Sequence, residues 1–148
     1  MRGKWLAAAS LLALGIGASW NGAHGLASTG PATIRITDLQ VADRLLGTGV
    51  GSREIVRTEL YQRSKRAQRL GSAVMVCTYV SRTQRSCTST FTLPRGTIVV
   101  SGVLGSRLLY ELAVIGGTGL YDNARGTVTS TTFKLRPRRD LLLFRLAG

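Results

Sequence analysis

The sequence has very few of the residues that most catalytic and metal sites use. Its 148 residues include one histidine, His24, and two cysteines, Cys77 and Cys87. Because His24 lies in an N-terminal region with the pattern of a removable leader, the mature chain has no histidine for a Ser-His or Cys-His nucleophile. The same shortage argues against a zinc site. We therefore expect no metal and no other cofactor.

Acidic residues are also scarce. Seven of them stand against twenty lysines and arginines, which gives a net charge of +13. This balance favours an acidic partner, such as an anionic surface. Because the leader indicates export, a dedicated nucleic-acid target is not expected.

The N-terminus has the pattern of a secretory signal. Two basic residues precede an apolar run from 6 to 16, and small residues follow it. That run is too short for the roughly 20 residues that span a bilayer, so cleavage is favoured over a retained anchor. We expect residues 1–27 to be a signal peptide, cut after Gly25 or Ala27, and residues 28–148 to form one secreted domain.

The rest of the sequence predicts an all-β fold. Short runs rich in Val, Ile, Thr and Tyr recur between breaks of Gly, Ser or Arg, and no stretch of helical length shows a helical period. Because most breaks are short, neighbouring strands should be antiparallel, and a single closed eight-stranded β-barrel would leave no exposed edge. A two-sheet sandwich is the competing arrangement. The eight predicted strands are 33–41, 52–62, 70–80, 87–93, 97–103, 108–115, 126–135 and 140–146.

Some of these strands are apolar on both faces. The runs at 108–114 and 141–144 show this most clearly. A barrel wall that is apolar outside as well as inside predicts that its outer surface is covered. We therefore expect a homo-oligomer, either a dimer or a trimer.

The two cysteines test the register of one hairpin. If the strands at 70–80 and 87–93 are joined by a turn centred on Arg82, Cys77 and Cys87 face each other directly. Opposed residues have Cβ atoms about 4.5–5.5 Å apart, so a small adjustment allows a disulfide. An oxidising compartment favours this bond, and two buried free thiols are the alternative.

Glycines cluster in the segment Gly116-Gly117-Thr118-Gly119. A dinucleotide fingerprint needs a third glycine three places after Gly119 and then a helix, but Asp122 and a Thr-rich strand follow. A phosphate loop needs Lys and then Ser or Thr, and Leu120 and Tyr121 stand there instead. The glycines therefore predict a tight turn between two strands.

Two segments resemble the dirigent and allene oxide cyclase barrel superfamily. They are 90–102, TFTLPRGTIVVSG, and 112–126, LAVIGGTGLYDNARG. The family signature is a Gly-Gly-Thr-Gly corner, an aromatic residue two places later, and then Ala-Arg-Gly. Asp122 departs from the plant motif, which commonly has arginine there.

The resemblance implies an eight-stranded antiparallel barrel, often trimeric, whose apolar cavity binds a hydrophobic or phenolic small molecule. Plant dirigent proteins are exported and steer radical coupling to one stereoisomer without oxidising anything themselves. Allene oxide cyclases close a ring in an unsaturated fatty epoxide. Members of this kind need neither a metal nor a redox cofactor for that step.

Arg125 is the first candidate for a catalytic role. A guanidinium at a barrel mouth can hold a carbonyl or phenolate oxygen through two donors. The alternative is a structural fork in which Arg125 locks the turn by pairing with Asp122 or with corner carbonyls.

Three carboxylates are further catalytic candidates. Glu111 and Glu59 interrupt strand-like runs, and Asp43 follows the first strand. A carboxyl that points into the barrel would have a raised pKa and would suit acid–base catalysis of a cyclisation. An outward carboxylate would instead pair with neighbouring arginines. The candidates for ligand contacts are Tyr79, Tyr110, Tyr121 and Asp122.

The function predicted from the sequence is that of an exported barrel that binds a lipophilic or phenolic small molecule and directs its coupling or cyclisation. If it is an enzyme, it is an isomerase or cyclase. The alternative is a non-catalytic protein that binds a hydrophobic ligand or an anionic surface.

Overall fold

The computed structural model describes residues 32–63 and 68–147. These residues form one closed antiparallel barrel whose eight strands neighbour each other in sequence order, which confirms the predicted fold. The first strand pairs with both the second and the last, so the sandwich alternative is wrong. The strands are β1 (Ala32–Leu46), β2 (Arg53–Gln62), β3 (Arg69–Tyr79), β4 (Arg85–Leu93), β5 (Gly96–Leu104), β6 (Leu109–Gly117), β7 (Arg125–Leu135) and β8 (Arg138–Ala147).

The predicted signal peptide and its cleavage site lie outside the described residues. Between residues 32 and 147, leaving out 64–67, the chain forms no helix that is long and apolar enough to cross a bilayer.

Strict alternation along the strands builds the interior. In β4, Cys87, Ser89 and Phe91 are buried, whereas the threonines between them are exposed. Successive side chains of a strand point to opposite faces, so each strand supplies one row to the interior and one to the outer wall.

The two ends of the barrel differ. The corner end carries the glycine corner at 118–124 and the links β2–β3 and β4–β5, and the open end carries the other four links. Apolar side chains fill the corner end. The Phe91 and Phe144 rings meet edge to face with centroids 5.1 Å apart, a geometry that contributes about 0.5–1.5 kcal/mol beyond burial. The other fully buried side chains of this plug include Ile36, Leu60 and Ile98.

The glycine corner holds two links of the corner end together. The Leu120 N–H donates to the Arg95 carbonyl at 2.8 Å, and the Thr118 N–H donates to the Thr97 carbonyl at 2.9 Å. Gly96 has φ +142, and a Cβ there would overlap the carbonyl oxygen of Thr118. The glycines therefore serve backbone geometry, as the sequence predicts.

The first strand is longer than predicted. It runs to Leu46 because a β-bulge between Gln40 and Ala42 bends the strand and lets its pairing with β2 continue. The bulge also changes which residues face inward. Asp38 and Gln40 line the interior before it, and Asp43 lines the interior after it.

The predicted disulfide is confirmed. Cys77 of β3 and Cys87 of β4 are directly opposed in the register, fully buried and bonded through their sulfurs. Their Cα atoms are 4.0 Å apart. The bond joins the two strands two residues from the ends that meet at the β3–β4 link, at the open end of the barrel.

Candidate functional site

A cavity occupies the open half of the barrel. About 730 Å³ of space free of protein atoms lies within it and its mouth, a figure that includes open solvent, so the enclosed part is smaller. One part of its wall is apolar and is formed by Val56, Phe91, Leu112, Val128 and Leu142. An apolar wall with a few convergent polar groups is the usual form of a small-molecule site.

Two aspartates meet on the wall of this cavity. Asp38 of β1 lies directly opposite Asp140 of β8, and the Asp140 N–H donates to Asp38 Oδ1 at 3.1 Å. Asp140 is buried and its carboxylate accepts hydrogen bonds from Arg138 Nη2 at 3.2 Å and from Ser130 Oγ at 3.4 Å. Asp140 thus has two side chains that donate to it, whereas Asp38 accepts from the Asp140 N–H and, among the described residues, from no charged donor.

The surroundings of Asp38 change its proton affinity. Burial, and next the negative charge of Asp140, raise the pKa of Asp38 to about 7, and the Arg138 guanidinium opposes this rise only in part. Near neutral pH the Asp38 carboxyl is thus present in both protonation states. Such a group can donate a proton in one step of a reaction and accept one in the next.

Two hydroxyl groups share the cavity with this carboxyl. Tyr110 lines the cavity, and burial raises the pKa of its phenol, so it stays a hydrogen-bond donor at neutral pH. The Thr58 hydroxyl oxygen is buried next to Asp38, yet it has no hydrogen-bond partner of good geometry among the described residues. A bound molecule would supply one.

A second polar group stands nearer the mouth. Arg85 and Glu54 form an ion pair, with their side chains 18% and 12% exposed. The Arg85 guanidinium also lies 5.9 Å from the centre of the Tyr79 ring and donates to its hydroxyl at 3.4 Å. Asp43 lines the cavity beside them and accepts a hydrogen bond from Gln40 Nε2 at 3.3 Å.

The structure places two of the sequence-predicted residues on the wall of this cavity and a third beside it. Tyr110 and Asp43 line it, and Tyr79 contacts Arg85 at its mouth. The other predicted residues lie elsewhere.

Glu111 and Glu59 lie on the outer wall. Their neighbours Leu112 and Leu60 are buried in the core, so the two glutamates point the opposite way. Glu111 accepts a hydrogen bond from Thr129 at 3.3 Å, and Glu59 pairs with Arg69 at 3.4 Å. Both follow the outward alternative.

Arg125, Asp122 and Tyr121 lie at the corner end, on the far side of the apolar plug. Arg125 is exposed, and its Nη1 donates to the carbonyls of Ile115 at 3.0 Å and Ala124 at 2.9 Å. The Asp122 carboxylate accepts from Asn123, and Tyr121 packs against the core. This geometry matches the structural fork through corner carbonyls, and it does not bring Arg125 to the cavity.

Sequence reasoning missed the main polar groups of the cavity, which are Asp38, Asp140, Arg138, Glu54 and Arg85. The alternation of inward and outward side chains along a strand could have placed the two aspartates in the interior. Asp38 continues the inward face of Ile36, and Asp140 continues the inward face of Leu142 and Phe144. Within 32–63 and 68–147, no group of three or more His, Cys, Asp or Glu side chains is placed to hold a metal ion.

Comparisons with known proteins agree on the fold. No protein-family model matches the sequence, and no curated protein does. A pyocyanin demethylase superposes with a TM-score of 0.64 at 22% identity, covering 76% of this chain and 99% of its own. The pterocarpan synthase dirigent protein GePTS1 gives 0.64 at 14% identity, covering 78% and 85%. AbnU, an exo-specific intermolecular Diels-Alderase, gives 0.65 at 13%, covering 80% and 99%.

Proposed function

Because the chain has the barrel fold of the dirigent proteins and cycloaddition cyclases, we propose that it binds a small lipophilic or phenolic molecule and directs its coupling or cyclisation. The cavity at the open end is the site. The observation that carries this proposal is Asp38, a half-buried carboxyl on a cavity wall that is part apolar and part polar, whose pKa burial and the charge of Asp140 raise to about 7.

The walls supply the first part of catalysis. A flexible ligand held against Phe91, Leu112 and Val128 is limited to few shapes, and one of them brings the reacting atoms together. Because the ligand loses this conformational entropy when it binds, the loss no longer adds to the barrier of the reaction. The protein takes part in no chemical step in this effect. The same walls exclude water from a reactive ligand.

Asp38 supplies the second part. In its neutral form the carboxyl donates a proton to an oxygen of the ligand as the ring closes, and the resulting carboxylate takes a proton from the group that has formed the new bond. No net proton is consumed. Tyr110 holds a ligand oxygen as a donor, while burial, and next the charge of Asp140, keep the pKa of Asp38 high enough for the exchange.

Two further parts of the proposal concern where and how the barrel works. We propose that it acts outside the cell, which the leader pattern and the buried disulfide support. We also propose that its outer wall packs against further copies of the chain. Exposed apolar side chains on that wall support this, among them Leu109, Ile115 and Phe133. Sedimentation equilibrium would measure the subunit number directly.

The test of function combines binding with product analysis. Coniferyl alcohol with a one-electron oxidant probes coupling, and 1,7,9-decatrien-3-one probes cyclisation. For each compound, nuclear magnetic resonance reports whether signals of Thr58 and Ser130 shift, and chiral chromatography reports the ratio of product enantiomers. We expect cavity shifts and an enantiomeric excess that is lost in Asp38→Asn and kept in Glu111→Gln, a change on the outer wall.

The outcomes separate the two candidate functions. Cavity shifts with racemic products throughout would favour the non-catalytic binding protein. Shifts confined to the outer wall or the corner end would contradict the proposed site.

A further inference from the structure

The charges of the protein are divided unevenly between its cavity and its surface. The chain has only seven acidic residues, and four of them line the cavity: Asp38, Asp43, Glu54 and Asp140. Among the basic residues that the structure describes, only Arg85 and Arg138 line it, although the whole chain has twenty. A strongly basic protein therefore has an acidic interior.

Both arginines of the cavity already form ion pairs with carboxylates. Arg85 forms its ion pair with Glu54, and Arg138 binds the Asp140 carboxylate at 3.2 Å. Within the described residues, no lysine or arginine lies within 4 Å of the carboxylates of Asp38 or Asp43. The two cations thus balance two carboxylates and leave two without a counter-charge.

From this arrangement we infer that the cavity takes an organic base, a compact ring system that presents a protonated nitrogen to Asp38, and rejects an anion of the same shape. The inference rests on the proposed ligand-binding function and names the class of molecule that fits it. It differs from the anionic ligand that the net charge of the sequence favours.

Local charge decides this preference. Exposed charges farther than about 8 Å away are screened at physiological ionic strength, so the basic outer surface has little effect inside the barrel. An anion in the cavity would be stripped of water and placed beside unpaired carboxylates, which is costly. A protonated nitrogen would give Asp38 a charged donor in addition to the Asp140 N–H, and it would leave a second N–H for the buried Thr58 hydroxyl oxygen.

The test uses three probes with one ring skeleton and different charge. These are 9-aminoacridine, a cation at neutral pH, anthracene-9-methanol, which is neutral, and anthracene-9-carboxylate, an anion. Fluorescence titration in 0.15 M salt gives each affinity, and chemical-shift changes at Thr58 and Ser130 restrict the analysis to binding inside the cavity. We expect the cation to bind at least about tenfold more tightly than the anion, which corresponds to one well-formed charged contact.

A pair of variants tests the role of Asp38. Asp38→Asn keeps the shape of the side chain and should weaken 9-aminoacridine binding by about tenfold or more. Glu111→Gln removes the same formal charge from the outer wall and should leave the affinity unchanged. Circular dichroism checks that both variants are folded, and the comparison of probes on the unaltered protein stands without them.

Three results would overturn the inference. Equal cavity affinity for the cation and the anion would remove the charge preference while leaving the ligand-binding function intact. Equal loss of affinity in both variants would show that net charge, and not Asp38, is responsible. Failure of all three probes to shift the cavity signals would count against ligand binding itself, and with it the proposed function.

Discussion

Asp38 occupies a position that is unfavourable for a charged carboxylate. It faces Asp140 directly across two paired strands, and it has no guanidinium of its own. Like charges placed opposite each other destabilise a sheet, and burial increases the cost. A carboxyl kept in such a place despite its cost to folding is a candidate for function.

This cost predicts how stability depends on pH. The ordinary pKa of an aspartate, 3.8, applies to the unfolded chain, and the pKa of Asp38 is about 7 in the fold, so the folded state binds more protons between these values. Its contribution to stability is therefore complete below about pH 4 and is lost as the pH rises to about 7 and above. This decline in the free energy of unfolding amounts to up to about 4 kcal/mol. Because asparagine does not ionise, Asp38→Asn should lack it.

Urea denaturation of both proteins at pH 4.5 and pH 8 measures the difference. The variant should gain stability relative to the parent protein at the higher pH. An identical change in both proteins would show that Asp38 titrates normally.

For Arg125 we predict an effect on folding stability and none on ligand binding. Its two hydrogen bonds hold backbone carbonyls at the corner end, far from the cavity. Arg125→Ala should lower the free energy of unfolding by about 1 kcal/mol, since exposed charged contacts are worth little more. Affinity for 9-aminoacridine should not change, and a loss of affinity without loss of stability would return Arg125 to the binding site.

These residues also show how far sequence reasoning reaches. Parity along the strands was sufficient to place Asp38 and Asp140 inward, because each continues an apolar face. The ion pair between Glu54 and Arg85 was not predictable from the sequence. The two residues are 31 positions apart and meet only when the barrel closes.

At the scale of the elements, the strands and their order follow from short β-rich runs and short links. The bulge of β1 does not, because its residues, Gln40 to Ala42, include no glycine or other local signal. This irregularity matters for the site. The bulge turns the Asp43 side chain toward the cavity. In an unbroken strand, Asp43 would point away from it.

The corner supports a prediction about glycine. At Gly96 an added Cβ would overlap the Thr118 carbonyl, and φ +142 is unfavourable for any other residue. Gly96→Ala should therefore cost about 3 kcal/mol or more, as strain and overpacking combine. Gly49 also has a positive φ, +73, but has nothing within 4 Å of an added Cβ, so Gly49→Ala should cost about 1 kcal/mol.

Thermal unfolding of the two variants gives the comparison. Because Gly96 lies at the corner end, probe affinity in the folded fraction should be the same in both. Equal destabilisation would indicate that the two links of the corner end are not packed as closely as described.

At the scale of the whole molecule, the corner motif identifies the fold, and the site that we propose lies at the opposite end of the barrel. The sequence placed function at the glycine corner, because the glycines and Arg125 are conspicuous there. Phe91, Phe144 and their neighbours close that end, and the cavity opens at the other. Side-chain volume decides which end is filled, and strand order alone carries no information about it.

One titration examines the site as a whole. In protein labelled with ¹³C at aspartate side chains, the carboxyl signal of Asp38, identified by its loss in Asp38→Asn, is followed against pH with and without 9-aminoacridine. The expected midpoint is about 7 without the probe and at least about one unit lower with it, because a bound cation favours the carboxylate. A midpoint near 4 in the free protein, or one that the probe does not move, would contradict the assignment of this cavity and of Asp38.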